Sequence, residues 1–470
     1  MKRLLLAAGL ALFSGAAHAA CVLPYTITPE TLADATAVMA NFNAVNGCVN
    51  TTMQTGPAGI RLIADNTGAT DVSAALLGGI NAAIGAKTPL YIPGGTYKVS
   101  SRITYTFPDA TSQLTIIGDG QERTFLNWPS GAGGIQITFN APTNSVALQG
   151  MTLTTGTTNG GDAIQLLQTA TNLPAPGQSP QSTISKITVR GADGFAKTDY
   201  WTNCFHITGV SVINGDSLNC DGSGAGTGVT VDGGSASLFP VIYNFSKLNF
   251  NALTFGMSLG NYVQGVTVTQ SNFISVGVGI DWNSPTFTDQ LNVSDSSFNF
   301  TSIGIRSQAA DVFIHHNLFY ENANAAIGVE LVASRRFTVD HNAFVNTGTF
   351  TTTAGDRVDQ ETNGGIITNN TYDKIFYPHV YFVVANYADF VSGNQYVNSS
   401  GSSLLTASVT AFLDTPYAGV FLPACAAVYT GRHQMVNDST TNTWGNTYAG
   451  IGADVVDLVC DGTNWTVSGK

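Results

Sequence analysis

The most regular hydrophobic pattern of the chain lies between residues 250 and 396. An aromatic residue returns there every 21 to 28 positions, as Phe250, Phe273, Phe298, Phe319, Phe344, Tyr372 and Tyr396. A serine or asparagine usually stands two positions before the aromatic, and a β-branched or apolar triplet precedes several of them. No stripe of 3.6-residue period is long enough for helix pairs, and repeats of about 20–50 residues are typical of solenoids, propellers or arrays.

These repeats predict an all-β solenoid in which each coil supplies about three short parallel strands and stacks on the previous coil at roughly 4.8 Å. The aromatic side chains would then form a ladder in the core. The asparagines two positions before them would hydrogen-bond along the axis at an inward corner. A β-sandwich with chance spacing is the alternative, and we favour the solenoid because three features recur in phase.

Residues 60–126 carry further motifs. An acidic turn, Asp65 to Asp71, leads into an apolar-periodic helix at 72–84, followed by a Pro-Gly-Gly-Thr-Tyr strand at 93–97 and an Ile-Gly-Asp-Gly turn at 117–120. This order resembles the opening of the pectate-lyase-like β-helix superfamily, which includes polysaccharide lyases, glycoside hydrolases and phage tailspike depolymerases. With the downstream repeats, the resemblance covers about residues 60–400. It implies a right-handed parallel β-helix with a short N-terminal helical cap and a polysaccharide as partner.

The family resemblance stops short of a particular activity. The Asp-rich and Gly-His-Gly signature of polygalacturonases is not found, and neither is the Arg-centred motif of pectate lyases. The catalytic residues must therefore be sought among side chains that the repeat would stack on neighbouring coils.

The chain divides into four predicted segments. Residues 1–19 read as a secretory signal peptide, because Lys2 and Arg3 precede a short apolar run and Ala17-His18-Ala19 forms a cleavage site. Residues 20–56 contain a short amphipathic helix, which would cap the open end of the solenoid or serve as an attachment element. Residues 57–410 form the β-helix. Residues 411–470 form a small β module, which is a cap, a trimerisation unit or a sugar-binding module.

Composition narrows the compartment and the partners. The net charge of −12 argues against nucleic acid as a partner. No segment beyond the signal is long and apolar enough to cross a bilayer, so no membrane is predicted. We expect a protein that is secreted, periplasmic or at the cell surface of a bacterium, as a monomer or a homotrimer.

The six cysteines fit this compartment, because an even count in an oxidising environment favours disulfides. Local pairing predicts three bridges, one in each of three sections of the chain: Cys21–Cys48, Cys204–Cys220 and Cys425–Cys460. No Cys-x-x-Cys or cysteine–histidine cluster suggests a metal site.

A first set of candidate catalytic residues follows the glycine–aliphatic pairs of successive coils. Asp281, Arg306 and Glu330 would project from one face, with the two carboxylates on the order of 9–10 Å apart at the strand spacing. That separation is close to the roughly 6.5–9.5 Å between the carboxyl groups of inverting glycosidases. Arg306 would orient a sugar acid, or the three residues would form a structural salt-bridge ladder.

A second set lies three positions before the aromatic residues, with Asp295, His316 and His341 in successive coils and Tyr320 and Glu321 just beyond. Stacked Asp and His side chains suit general acid–base catalysis, because histidine titrates near neutrality. A metal site on the two histidines and a polar corner ladder are the alternatives. Trp201, in an insertion at 193–203, would stack on a sugar ring or cover the core.

These patterns predict a secreted enzyme that degrades a polysaccharide bound along one face, with a hydrolase slightly favoured over a lyase. The catalytic candidates are Asp281, Glu330, Asp295, Glu321 and His316. The candidates for substrate binding are Arg306, His341, Tyr320 and Trp201. No cofactor is required, and calcium is an option only if the enzyme is a lyase. The alternative is a non-catalytic, adhesin-like or tailspike-derived glycan-binding protein.

Overall fold

The computed structural model describes residues 59–131, 133–169, 179–235, 238–286, 288–359, 364–381, 390–399, 403–405 and 412–470. Within them, the chain folds as a right-handed parallel β-helix whose coils form one continuous assembly of 33 strands. Every strand pairing in this assembly is parallel and joins one coil to the next. The predicted fold class is confirmed, and the β-sandwich alternative is wrong.

Each regular coil contributes to three sheets, here called A, B and C in chain order. Sheet A contains Ile60–Arg61, Leu90–Ile92, Gln113–Gly118, the first halves of Ser145–Thr155, Ser182–Gly191 and Ile213–Asp221, and then Val241–Ser246, Gln264–Thr269, Asp289–Ser294, Ala310–His315, Arg335–Asp340, Ile366–Thr368 and Phe390–Ser392.

Sheet B follows after a corner and contains Thr67–Asp71, Gly95–Lys98, Thr124–Trp128, the second halves of the three long strands just named, Asn249–Asn251, the first halves of Asn272–Trp282 and Ser297–Ser307, and then Leu318–Glu321, Ala343–Asn346, Thr371–Asp373 and Gln395–Val397. Sheet C contains Ile103–Thr106, Ile135–Phe139, Asp162–Gln168, Asn203–Thr208, Thr227–Asp232, Phe255–Leu259, the second halves of Asn272–Trp282 and Ser297–Ser307, and then Ile327–Val332, Ala354–Asp359, Tyr377–Tyr381 and Leu404–Leu405.

The aromatic residues of sheet B form the predicted ladder in the core. Consecutive members are direct register partners, from Phe250 to Tyr396. From Phe273 onward their rings stack with centroids 4.7 to 5.5 Å apart. The ladder also explains the recurring glycine of the repeat. A Cβ at each glycine where sheet C begins would lie 2.3 to 2.7 Å from a ring of the ladder, at Gly228, Gly256, Gly279, Gly304, Gly328 and Gly355.

The corner between sheets A and B is built by polar residues. One residue per coil takes a left-handed conformation with φ between 51° and 58°, at Lys247, Gln270, Asp295, His316, His341 and Asn369. At the next position, asparagines donate from Nδ2 to the Oδ1 of the asparagine on the following coil at 3.0 to 3.2 Å, along Asn317, Asn342, Asn370 and Asn394. The same oxygens accept backbone N–H groups, so the ladder satisfies main-chain donors that the bend leaves without strand partners. The predicted asparagine ladder is confirmed.

A helix, Ser73–Ala86, covers the first coils and buries Leu76, Ile80 and Ala83 against the core. Asp71 accepts hydrogen bonds from the backbone N–H and the hydroxyl of Ser73 at 3.1 and 2.6 Å, which supports the chain where the helix begins. Among the described residues, none of the helices has the length and hydrophobicity needed to cross a bilayer.

The C-terminal segment forms a separate antiparallel sheet from His433–Ser439, Asp454–Cys460 and Trp465–Gly469, with short 3-10 helices at Gly419–Phe421 and Ala427–Tyr429. Trp465 is buried and donates from Nε1 to the carbonyl of Pro423 at 2.7 Å, whereas Trp444 is 77% exposed. The predicted disulfides Cys204–Cys220 and Cys425–Cys460 are confirmed. The predicted Cys21–Cys48 bridge, the signal peptide and the 20–56 element lie outside the described residues.

Candidate functional site on sheet C

Sheet C presents a continuous polar column on its outer surface. Its inward side chains, such as Ile280, Ile305 and Val329, are buried in the core, so the residue after each of them faces outward. Register pairs place one such residue on each successive coil, as Thr104, Gln136, Gln165, His206, Thr230, Ser258, Asp281, Arg306, Glu330 and Arg357. The predicted alignment of Asp281, Arg306 and Glu330 is therefore confirmed and belongs to a longer series.

Acidic and basic residues alternate in the C-terminal half of this column. The Nε of Arg306 lies 2.6 Å from Oε2 of Glu330, and its Nη1 lies 3.4 Å from Oδ1 of Asp281. Arg357 adds Nη1 at 3.4 Å from Oε1 of Glu330 and Nη2 at 2.8 Å from Oδ2 of Asp359. Glu330 is thus held between two arginines, whereas Asp281 has one longer contact.

The two carboxyl groups differ in their surroundings. Burial raises the pKa of Asp281; the charge of Arg306 opposes this shift, and the negative charge of Glu330 adds to it. Because one planar guanidinium contacts both groups, the two carboxyls lie roughly 6–9 Å apart. Chemically, this arrangement offers a carboxyl group that retains its proton more readily and, nearby, a carboxylate held by two cations.

The residues of the second predicted column lie elsewhere. Asp295, His316 and His341 occupy the exposed corner between sheets A and B, in the left-handed positions described above. The rings of His316 and His341 stack with centroids 5.2 Å apart, and Nδ1 of His341 lies 2.6 Å from Oδ2 of Asp340. The structure aligns these residues with one another, but it does not bring them to the sheet C column.

Three further candidates, Tyr320, Glu321 and Trp201, do not face the sheet C column. The alternation of side chains in sheet B and packing in the core place them elsewhere. Tyr320 points outward from sheet B, aligned with Asn299 and Val345 rather than with the sheet C column. Glu321, the next residue, is completely buried, and burial raises its pKa well above the ordinary value. The predicted catalytic role of Glu321 is contradicted, because a substrate bound to the outer surface does not reach it.

Trp201 also lies in the core. Its ring is 1% exposed and packs edge-on against Trp128 at 5.8 Å, and its Nε1 donates to the carbonyl of Arg190 at 3.1 Å. The prediction that Trp201 binds substrate is therefore wrong, and its alternative role of covering the core is correct. The ring is buried because the 193–203 insertion folds back over the coil instead of standing away from it.

A second polar cluster on sheet C was missed by sequence reasoning. Arg102, Asp162, Gln165 and His206 meet there in the N-terminal half of the column. These coils lack the aromatic repeat that revealed the register of the later coils. The usable signal was the outward position next to buried Ile164 and Phe205, which places Gln165 and His206 in line. Within the described residues, no group of three or more His, Cys, Asp or Glu side chains is arranged to hold a metal ion.

Comparison with known proteins reaches the fold alone. No family model matches the chain, and no curated protein matches it. Among solved structures, the A-module of the Azotobacter vinelandii mannuronan C-5 epimerase AlgE6 superposes with a TM-score of 0.53 at 14% identity, over 76% of this chain and 98% of that module. A GH87 α-1,3-glucanase catalytic domain in complex with nigerose has a TM-score of 0.46 at 11% identity, over 73% of this chain and 68% of that domain.

The Streptococcus pneumoniae surface adhesin PfbA covers 86% of this chain and 98% of its own, with a TM-score of 0.38 at 11% identity. At these identities the likeness carries no residue of a relative's site onto this chain. Together with the strand pairing, the similarity to the epimerase module shows that the chain is a right-handed parallel β-helix.

Proposed function

We propose that the protein is a secreted polysaccharide-degrading enzyme that binds its glycan along the outer surface of sheet C and acts as a glycoside hydrolase. The observation that best supports this proposal is the pair of carboxyl groups with contrasting surroundings, Asp281 and Glu330. A carboxyl with a raised pKa, close to a second carboxyl that contacts two arginines, allows the acid and base roles to be divided between the two groups. The mannuronan C-5 epimerase module, which shares the fold, is consistent with a polysaccharide as substrate. The disulfides suit an extracellular compartment.

In the proposed mechanism, Asp281 protonates the oxygen of the leaving sugar. Glu330, which contacts Arg306 and Arg357, activates a water on the opposite side of the sugar ring. The separation of roughly 6–9 Å leaves room for that water and predicts inversion at the anomeric carbon. Arg306 and Arg357 orient the glycan from between and beside the two carboxyls.

A lyase has less support from the geometry. A β-elimination needs a base, and the candidates His316 and Tyr320 do not belong to a strand of sheet C. A base there would be distant from Arg306, the cation proposed to face the sugar acid. Calcium remains an option only if the reaction proves to be an elimination.

The test is to incubate the protein beginning at Ala20 with pectins, alginate, bacterial exopolysaccharides and capsules, with and without calcium. New reducing ends without ultraviolet absorbance would support the hydrolase, and both signals together would mean β-elimination. Asp281→Asn and Glu330→Gln should each abolish the reaction. Asp311→Asn and Glu122→Gln are matched controls, because these acids pair with Arg336 and Arg190 away from sheet C. Full activity in both site variants would remove Asp281 and Glu330 from the mechanism.

A non-catalytic glycan-binding protein is the second candidate. It is favoured by one observation, namely that both carboxyls already contact arginines, as in a structural salt-bridge ladder. Tight binding of glycans that remain intact, with no product from any of them, would select this alternative. Light scattering on the same protein would decide between a monomer and the trimer expected of a tailspike-like protein.

A further inference from the structure

The N-terminal half of sheet C carries a polar cluster that the proposed hydrolase does not use. Arg102 Nη2 donates to Oε1 of Gln165 at 2.5 Å and lies 3.6 Å from Oδ2 of Asp162. Nδ1 of His206 lies 3.3 Å from the same Asp162 oxygen. Asn203 donates from Nδ2 to the other oxygen of Asp162 at 2.7 Å. One carboxylate therefore organises an arginine and a histidine, each contributed by a different coil.

The absence of a side chain at Gly133 allows Arg102 to reach this cluster. The residue precedes the strand Ile103–Thr106, and its side chain crosses the next coil at Gly133 to reach Asp162 on the coil beyond. A Cβ at Gly133 would lie 3.3 Å from Cδ and 3.4 Å from Nε of Arg102. Gly133 also has φ +85°, a conformation that favours glycine. The arginine is thus laid flat along the outer surface of sheet C.

The cluster has more hydrogen-bond donors than free acceptors. Burial opposes the charged form of Asp162, but the hydrogen bonds from His206 and Asn203 and the charge of Arg102 outweigh it, so the pKa of Asp162 is lowered. Both oxygens of this carboxylate are occupied. By contrast, Nη1 of Arg102 donates to none of the described residues, and the Arg102 side chain is 33% exposed. Arg306 differs, because its Nε and Nη1 both contact carboxylates.

Nη1 of Arg102 can still donate a hydrogen bond, and both oxygens of Asp162 already have partners. This combination suits the binding of an oxyanion of a ligand. The site also lies in line with the proposed catalytic pair, since His206, Thr230, Ser258 and Asp281 occupy successive coils of one column. Three coil spacings place His206 roughly 14 Å from Asp281. An extended glycan laid along the column would contact both places with different sugar units.

We propose that Arg102, Gln165 and His206 form a subsite for an acidic sugar, which binds the carboxylate or sulfate of a polysaccharide lying along sheet C. The subsite as a place of binding stands independently. Its link to cleavage at Asp281 and Glu330 rests on the proposed function. The subsite gives the enzyme a preference for acidic glycans that the Asp281–Glu330 pair, already neutralised by arginines, does not supply.

The test is calorimetric binding to the Asp281→Asn protein, which would leave a substrate intact. The probes are polygalacturonate for the carboxylate, dextran sulfate for the sulfate, and dextran as the neutral polymer. We expect one of the anionic probes to bind and dextran not to bind. Arg102→Ala should weaken binding about tenfold or more, and Arg102→Lys should weaken it less, because lysine keeps the charge but loses the planar fork.

Arg335→Ala is the matched control, because it removes the same charge from an exposed position on sheet A. Unchanged affinity in Arg102→Ala, equal losses in the Arg335 control, equal binding of dextran, or binding of none of the probes would each overturn the subsite. Melting curves establish that the variants are folded. If the wild-type protein cleaves nothing yet binding still depends on Arg102, the hydrolase fails and the subsite stands. If the wild-type protein cleaves a glycan and Arg102→Ala does not weaken the binding of that glycan, the hydrolase stands and the subsite fails.

Discussion

Two neighbouring residues of the strand Ala354–Asp359 belong to charged groups with opposite surroundings. Arg357 faces outward and joins the Asp281–Arg306–Glu330 column, where it is partly exposed. Asp356 faces inward and is completely buried beside His379, with Oδ2 and Nδ1 2.8 Å apart. The outer charges can exchange their partners for solvent or a ligand. The inner charges are enclosed by the protein, so we expect their removal to change stability and not binding.

The inner network links the last coils to the C-terminal segment. The hydroxyl of Tyr372 donates to Oδ2 of Asp356 at 2.7 Å, and Nε2 of His379 lies 2.8 Å from the hydroxyl of Tyr396. Asp414 lies 3.7 Å from His379 and accepts the backbone N–H of Asn394 at 3.0 Å, which extends the asparagine ladder by one more acceptor. This network gives the buried charges of Asp356 and His379 polar partners inside the solenoid core.

The largest effect should follow from removing the inner carboxylate. Asp356→Asn leaves the buried, positively charged His379 without its nearest counter-charge, and we expect a loss of about 3–5 kcal/mol in the free energy of unfolding. Urea denaturation at neutral pH measures it. Glu330→Gln in the outer column is the matched comparison and should cost about 1–2 kcal/mol, since its arginine partners keep access to water. Equal losses in the two variants would erase the distinction between the inner and outer groups.

The inner network should also make stability fall at alkaline pH. Burial opposes the charged form of His379, but the charges of Asp356 and Asp414 outweigh it and raise its pKa to about 9. A pKa raised on folding means that the stabilisation is fully present below the unfolded value near 6.5. It is then lost as the pH rises through about 9. Melting temperatures between pH 6 and pH 10 should therefore fall more steeply in the wild-type protein than in His379→Gln. Parallel curves would contradict this assignment.

The sequence allowed some of these residues to be placed correctly and others not. The aromatic and asparagine ladders and the alignment of Asp281, Arg306 and Glu330 were predictable because these residues recur in phase with a repeat of nearly constant length. Glu321 was misassigned because strand side chains alternate from one residue to the next, and a one-residue difference moves a side chain from the surface to the core. Arg102 and His206 were missed because insertions between the early coils hide the register that brings them together.

Replacing Glu321 is expected to preserve or raise the stability of the protein, whereas replacing Asp356 is expected to lower it. The carboxyl group of Glu321 is completely buried. Burial raises the pKa of Glu321; a hydrogen bond from Thr353 opposes this shift, and the charge of Asp356 adds to it. Such a group must take up a proton to fold at pH 7, which costs stability that the amide of Glu321→Gln does not. We expect this variant to be as stable as the wild type or more stable by about 1 kcal/mol at pH 7. Its advantage should shrink as the pH falls towards 4. A clear destabilisation at pH 7 would mean that Glu321 is charged in the folded protein.

The smallest effect on stability is expected at Asp281. Arg306 keeps its 2.6 Å contact with Glu330 when Asp281 becomes asparagine, and the contact that is lost is the longer one of 3.4 Å. A partly exposed pair of this kind contributes less than about 1 kcal/mol. Asp281→Asn should therefore melt almost with the wild type, although we expect it to have lost the cleavage of glycans. Urea denaturation and the reducing-end measurement on one preparation check both statements. A loss of stability comparable with that of Asp356→Asn would mean that Asp281 serves mainly to stabilise the fold. The outer column would then be a structural salt-bridge ladder.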